Sequence, residues 1–472
     1  MGSVLRLLGG PLAGVCVGLA THAFGLEEAA ALTAGITTWT AVWWIFEPVP
    51  LGVAALLPIT IFPLLGILSH VRVGEAVGNK LVLLLLGSYM MSTAIEKAGA
   101  HRRLALGMLK AIGGDDPRRI VFGFMLASAV LSGWISNTAT VLMLLPVALA
   151  VVQQDRSGKI AVPLLLGLAY ACNVGGLATP IGTPPNPIAL GAYEEFLAKP
   201  EKAALIEETG ARPMTFARWM ALATPLTLMM LPVIWWSLTR ALPREGRIEI
   251  EHPGPWRAQE IRVLVVFGLV IIAWVTRTFP AGGWSQWWSL PGAWDSDVAL
   301  LAVIVLAMIP NGAGGRLLDW QTAVQVPWNL ILLVGAGITI GYAFEASGLS
   351  QVLAQGLVGV AGQAVIVQLF SVVGLTALAT ELMQNTAVAA LVMPILSAAA
   401  LDLVVDPLYM MMAAALASSC AFMLPIATGP NAIVFGSGRI SIAQMLKEGF
   451  LLNLVAIPLV AGILWVYWRM GW

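Results

Sequence analysis

Two short polar stretches, Ser136-Asn137-Thr138 and Gln384-Asn385-Thr386, lie inside apolar sequence, and in each a proline follows the asparagine by nine residues, Pro146 and Pro394. Two further stretches, residues 178–186 and 424–431, share a threonine three residues before an asparagine: Thr183 before Asn186, and Thr428 before Asn431. Hydroxyl and amide groups on broken helices supply neutral donors for an anion, and freed carbonyl oxygens suit a small hard cation. Proline-broken backbone in a bilayer is costly unless it is buried in protein or lines a wet cavity. Four such breaks in matching positions therefore imply one central cavity. For any single motif, helix-to-helix glue is an adequate reading; for four it is not. No Lys, Arg or His falls within these stretches. A bound dianion would lack a formal countercharge, and co-bound Na⁺ would offset that cost.

The polar stretches belong to an internal repeat. Asn137 and Asn385 are 248 residues apart, Asn186 and Asn431 are 245 apart, and Ile95-Glu96-Lys97-Ala98-Gly99 pairs with Phe344-Glu345-Ala346-Ser347-Gly348 at 249. Loop charge gives the relative orientation, because cytoplasmic loops collect Lys and Arg. Arg102, Arg103, Lys110, Arg118 and Arg119 follow the first of these segments, whereas residues 349–367 after the second carry no charge. Equivalent loops thus fall on opposite sides, and the halves are inverted.

The elements that must position these residues are membrane helices. Of the 472 residues, 59% are hydrophobic and 11% charged, against about 25% charged in a soluble domain. The expected fold is an all-α polytopic membrane protein, an inverted-repeat transporter with about eleven transmembrane helices and two re-entrant hairpins. The spans are expected at 4–24, 29–46, 50–68, 81–100, 161–190, 213–240, 262–281, 297–311, 327–346, 408–436 and 449–470. Residues 1–28 form an N-terminal transmembrane helix, and Arg6 with the apolar run after it reads as that span rather than as a cleaved signal. Residues 29–240 form the first repeat, with a hairpin at 121–150 and a broken helix at 161–190. Residues 241–261 form a cytoplasmic linker, and 262–472 the second repeat, with a hairpin at 366–400 and a broken helix at 408–436. This threading places the chain in the cell's inner membrane, N-terminus cytoplasmic and C-terminus outside. Trp39, Trp43, Trp44, Trp235, Trp236, Trp284, Trp287 and Trp288 suit interfacial belts.

Other function classes are poorly served. Zero net charge offers no nucleic-acid footprint. Cys16, Cys172 and Cys420 are isolated in apolar sequence, and His22, His70, His101 and His252 stand singly, so neither a disulfide framework, a zinc site nor a hydrolase centre is indicated. An intramembrane enzyme would need a nucleophile with its base, which is not found. Glu381, one helical turn before Asn385, and the repeat-related Glu96 and Glu345 have two readings: cation or proton sensing, or a local hydrogen bond that holds the hairpin.

Over nearly its whole length the sequence resembles the divalent anion/sodium symporter family. The resemblance rests on the paired Asn-Thr tips and Pro-Asn breaks, on Ala41-Val-Trp-Trp-Ile-Phe-Glu-Pro-Val-Pro50, and on the run from Ser419 to Thr428 and from Asn431 to Gly438. It implies Na⁺-coupled symport of C4-dicarboxylates such as succinate, malate and fumarate by a homodimer using an elevator motion. It also implies one Na⁺ site at Ser132, Ser136, Asn137 and the Gly182 carbonyl, and a second at Thr380, Asn385 and the carbonyls of Met383 and Ala427. The dianionic substrate would meet Ser136, Asn137, Thr138 and Thr183 from one half, and Gln384, Asn385, Thr386, Thr428 and Gly429 from the other. Gln384 and Gly429 depart from the family's usual Ser and Pro, so selectivity is expected to differ in the second half. The alternative is a Na⁺-independent anion exchanger, or a carrier of another divalent anion such as citrate or sulfate.

Overall fold

The computed structural model describes residues 2–112, 116–155, 158–198, 203–242, 254–353, 363–399 and 406–471. Most of the expected linker, with Arg244, Arg247 and His252, lies outside the described residues, as does 354–362 of the uncharged loop. Among the described residues every regular element is helical, apart from one isolated bridge between Pro310 and Arg316.

The first helices are α1 (Gly2–Ala23), α2 (Glu28–Phe46), α3 (Leu51–Leu64), α4 (His70–Val77), α5 (Lys80–Ala98) and α6 (Ala100–Ile112). A helix pair follows, α7 (Pro117–Ser132) and α8 (Asn137–Gln154), and then α9 (Ala161–Gly175), a 3₁₀ turn and α10 (Pro185–Leu197). Next come α11 (Ala203–Thr209), α12 (Phe216–Thr239), α13 (Ala258–Thr276), α14 (Gly283–Trp287), α15 (Asp295–Met308), α16 (Trp320–Ala323) and α17 (Trp328–Ala346). A second pair, α18 (Val365–Leu382) and α19 (Asn385–Ala399), precedes α20 (Pro407–Ser419), another 3₁₀ turn, α21 (Gly429–Gly436) and α22 (Ile442–Arg469).

Caps and turn residues set these boundaries. Asp116 accepts from the Arg118 N–H with Pro117 at the first helical position of α7, and Asp406 with Pro407 does the same for α20. Asn79 caps α5, Thr215 caps α12, and Ser441 caps α22 in a reciprocal box with Gln444. Gly99, in the left-handed region at φ 75°, ends α5 and lets α6 turn away.

Among the described residues nine helical stretches are long and apolar enough to span a membrane. Two of them, Asn137–Gln154 and Val365–Leu382, are arms of the helix pairs, while α3, α15 and α20 are shorter. Several boundaries differ from the sequence expectation. The helix after the first break runs on to Leu197 rather than ending at 190. Residues 100–112, expected as a charged loop, form the amphipathic α6, whose Arg103 turns inward onto Glu260 of α13 at 2.6 Å and onto the Gly254 and Pro255 carbonyls. Helix α13 starts at Ala258, where Glu260 also accepts from the Arg257 N–H at 2.7 Å. Trp44 is fully buried and is not a belt residue, whereas Trp236, Trp287 and Trp288 are exposed.

Two groups of helices surround the breaks. The pairs α7–α8 and α18–α19 pack on the broken helices α9 and α20, with α12 and α22 behind them. Helices α2, α3, α5, α13, α15 and α17 pack among themselves and meet the first group mainly through α17 against α10 and α19. Trp134, at the turn of the first pair, stacks on Phe216 and meets Phe267 edge-on, and Phe216 stacks on Trp274 at 4.4 Å. Two helices, α12 and α13, are thereby tied to the first turn.

Close packing of α7 on α9 depends on Gly175, where an added Cβ would lie 2.3 Å from the Ala129 carbonyl oxygen and 2.4 Å from its Cα. Backbone on both sides leaves no rotamer escape. Gly175→Ala is expected to cost about 2 kcal/mol or more, read as a fall in melting temperature in detergent. Gly107→Ala, with nothing within 4 Å, should be neutral or stabilise by about 0.5 kcal/mol.

Candidate functional site

Each break frees carbonyl and N–H groups, and several of them find side-chain partners. In the first half, Asn186 Nδ2 spans the break, donating to the Gly176 carbonyl at 3.0 Å and the Thr179 carbonyl at 2.7 Å. Asn431 repeats this in the second half, donating to the Ala421 carbonyl at 3.0 Å and the Leu424 carbonyl at 3.2 Å. Helix α12 serves the other first-half carbonyls: Thr227 donates to Val174 at 2.9 Å and Trp219 Nε1 to Leu177 at 3.0 Å. Asn173 Nδ2 then reaches across to Asn431 Oδ1 at 3.1 Å, and Tyr170 Oη to the Phe422 carbonyl at 2.6 Å. The broken helices of the two halves are thus fastened to each other.

The pairs are fastened to the broken helices in the same way. Ser132 donates to the Cys172 carbonyl at 2.6 Å, and Thr380 to the Ser418 carbonyl at 2.6 Å. At the turns the halves diverge. Thr179 Oγ1 hydrogen-bonds the Gly133 carbonyl in the first. In the second the Glu381 carboxylate accepts from Phe422, Met423 and Leu424 N–H and from Asn453.

Four helix N-termini converge as a result. Ser136 caps α8, accepting from the Ala139 N–H, and Thr428 caps α21, accepting from the Asn431 N–H. Helix α10 starts at Pro185 and α19 at Asn385, after Met383 in extended backbone at φ −150°. The approach is crossed: each turn meets the break of the opposite half. Asn385 Nδ2 lies 3.5 Å from Thr183 Oγ1. Thr138 Oγ1 lies 2.8 Å from where a Cβ at Gly429 would be. Glycine at 429 is what lets the first turn come this close.

The oxygen positions expected for a cation gather best in the first half. Asn137 Oδ1 lies against the Ser132 hydroxyl oxygen. A methyl at Gly176 would sit 3.0 Å from the Gly182 carbonyl oxygen and 3.1 Å from Asn137 Oδ1. A bare Cα therefore leaves room between neutral oxygens of the kind that bind hard cations. The position 245 residues later is Ala421, whose methyl is buried. There, Asn385 Oδ1 accepts from the Thr386 N–H at 2.8 Å, Thr380 is engaged with Ser418, and Ala427 sits buried in the 3₁₀ turn. Gln384, half-buried, stands at the start of this turn beside Asn385.

Exposure is unequal. Thr138 and Gly429 are exposed, while Thr183, Asn385, Thr386 and Thr428 are buried. The cluster opens toward α8 and α21 and is closed on the α10 and α19 side. Asn186 and Asn431, legible in the sequence only as motif endpoints, prove to be the struts of the breaks. Asn453 and Tyr170 gave no sequence signal, because their partners are distant backbone atoms. Glu96 accepts from Ser92 on its own helix.

Asn186→Ala would leave the Gly176 carbonyl without its side-chain donor and the Thr179 carbonyl with only the long Gly182 N–H bond, and Asn431→Ala would do the same to the Ala421 and Leu424 carbonyls, at about 1 to 3 kcal/mol for a group left unpaired. Both variants are expected to melt well below the wild-type protein, whereas Thr138→Ala should melt near it.

A family model described as a citrate transporter (CitMHS) matches residues 41–415. Over 98% of its length the chain is 32% identical to the sodium-dependent dicarboxylate transporter SdcS of Staphylococcus saprophyticus, covering 90% of that protein. The Staphylococcus aureus protein of the same name is 32% identical over 99% of the chain and 91% of its own length. Two solved transporters share the fold: Alcanivorax borkumensis YdaH, with TM-score 0.59, 15% identity and 87% and 88% of the two chains covered, and Neisseria gonorrhoeae MtrF, with TM-score 0.59, 12% identity and 87% and 84% covered. The chain is a multi-pass membrane transporter, not an enzyme, and belongs to the divalent anion/sodium symporter family.

Proposed function

We propose that the chain is a secondary active transporter that carries C4-dicarboxylates of the succinate, malate and fumarate class across the cytoplasmic membrane, in symport with Na⁺. The observation that carries this reading is the crossed convergence of four helix N-termini, Asn385 on Thr183 and Thr138 on Gly429, with no basic side chain in any of the four stretches. One carboxylate of the substrate meets the N–H and hydroxyl groups of Ser136, Asn137, Thr138 and Thr183. The other meets Gln384, Asn385, Thr386, Thr428 and Gly429. Helix dipoles favour the charge but do not cancel it. Na⁺ ions, carried as cargo, supply the balance: one at Ser132, Ser136, Asn137 and the Gly182 carbonyl, one at Thr380, Asn385 and the carbonyls of Met383 and Ala427. The names of the staphylococcal relatives support both the cation and the substrate class.

The inverted repeat divides at 29–240 and 262–472, with residues 1–28 as the leading helix and 241–261 as the cytoplasmic linker. The turns of the two pairs are re-entrant tips, and the N-terminus lies inside and the C-terminus outside. Exposure of Thr138 and Gly429 then marks a site open to the cytoplasm. Alternating access follows if the unit built on the pairs and broken helices slides past the α2, α3, α5, α13, α15 and α17 frame, an elevator motion, in a homodimer.

Proteoliposomes with an inward Na⁺ gradient should accumulate labelled succinate, and dissipating the gradient should reduce uptake at least about tenfold. Flat Na⁺ dependence, or strong uptake of citrate or sulfate with none of succinate, would overturn the reading in favour of exchange or another anion. Asn137→Ala and Asn385→Ala should each abolish uptake while the protein stays folded. Gly176→Ala should raise half-saturating Na⁺ by about fivefold or more, since its methyl fills the space between two ligand oxygens.

A further inference from the structure

Glu381 follows Thr380 directly and stands one helical turn before Asn385. It is 2% exposed, and none of the ion pairs among the described residues includes it. Its oxygens instead collect neutral donors. Oε1 accepts from Phe422 N–H at 2.8 Å, Met423 N–H at 3.1 Å and Asn453 Nδ2 at 2.6 Å; Oε2 accepts from Met423 N–H at 3.1 Å and Leu424 N–H at 3.0 Å. Every partner donates, the pattern that holds a carboxylate anion. Three successive N–H groups around one anion make a backbone nest.

Two consequences follow from this geometry. The peptides from 422 to 424 are fixed from several sides, since Tyr170 holds the Phe422 carbonyl and Asn431 the Leu424 carbonyl. The oxygens of Thr380, Met383, Asn385 and Ala427 are borne by segments that this carboxylate clamps together. The second consequence is electrostatic. Neutral donors stabilise the carboxylate without cancelling its charge, so a buried negative charge stands beside the second turn. The position 248 residues earlier is Gly133, so the first turn has no carboxylate at the matching place. In a low-dielectric interior an uncancelled charge attracts a cation and repels a dianion until a cation is present.

We infer that Glu381 is a positioning residue for the coupling cation of the second half: it fixes the peptides at 422–424 and supplies the negative charge that draws the cation in ahead of the dianion. This rests on the Na⁺-coupled reading given above. The two halves are then unequal cation binders, the first relying on neutral oxygens in a cradle opened by Gly176 and the second on a nearby charge.

The test is succinate uptake against Na⁺ concentration by the full-length protein in proteoliposomes, with melting temperature measured in parallel. Glu381→Gln, which keeps the size and loses the charge, is expected to raise half-saturating Na⁺ about tenfold and to lower the Hill coefficient. The KM for succinate at saturating Na⁺ should move less than about threefold. Asn453→Leu removes one donor and keeps the charge, so it should lower the melting temperature with half-saturating Na⁺ within about twofold of wild type. Glu381→Asp keeps the charge on a shorter arm; it should also melt lower yet stay within about threefold of wild type in Na⁺. An unmoved Na⁺ curve in folded Glu381→Gln overturns the inference. So does an Asn453→Leu shift as large as that of Glu381→Gln. Should Glu381→Gln not fold, Glu381→Asp decides: a retained Na⁺ curve supports the role of charge, and a shift proportional to lost stability overturns it. Wild-type uptake indifferent to Na⁺ would overturn the symport reading and this inference together, whereas Na⁺-dependent wild type with an unmoved Glu381→Gln overturns the inference alone.

Discussion

A helix broken inside a bilayer must return its freed backbone groups to hydrogen-bonding partners, because lipid offers none. Much of the structure around the site answers that requirement. Asn186 and Asn431 each bridge a break by donating to two carbonyls. Helix α12 brings Trp219 and Thr227 to the first break, and α22 brings Asn453 to the carboxylate that holds the second. With these bonds in place, the helices that start at Ser136, Pro185, Asn385 and Thr428 can approach one another from the two halves.

The same chemistry that stabilises the breaks also joins the halves. Asn173 to Asn431, Tyr170 to Phe422 and Asn385 to Thr183 all cross between repeats. The two breaks are therefore coupled to each other directly. Rigid coupling of this kind suits a unit that moves as one body, because relative motion of the two breaks would strip buried polar groups of their partners.

Equivalence of the halves is geometric rather than chemical. Ser132 and Thr380 do the same work at matching positions, as do the two asparagine struts. Gly133 against Glu381 and Gly176 against Ala421 do not match in chemistry. One half gains space and neutral oxygens; the other gains a buried carboxylate. Gly429 extends the asymmetry, because a side chain there would meet Thr138.

The amino-acid sequence by itself determined the membrane class, the repeat and the motif residues at both turns and both breaks. These are recorded in composition, in the recurring spacing of Asn, Thr and Pro, and in loop charge, all of which follow from how a chain partitions between lipid and water. Tertiary structure decided what those residues do to one another. Spacing cannot reveal that Asn186 is a strut while Asn385 reaches the opposite half, or that Trp44 is buried while Trp236 is exposed, since each depends on which distant backbone lies within reach. It also decided between the two readings of Glu381 as far as contacts go: the side chain holds the second break. Its three N–H partners lie some forty residues away in sequence, and only the fold brings them to one carboxylate.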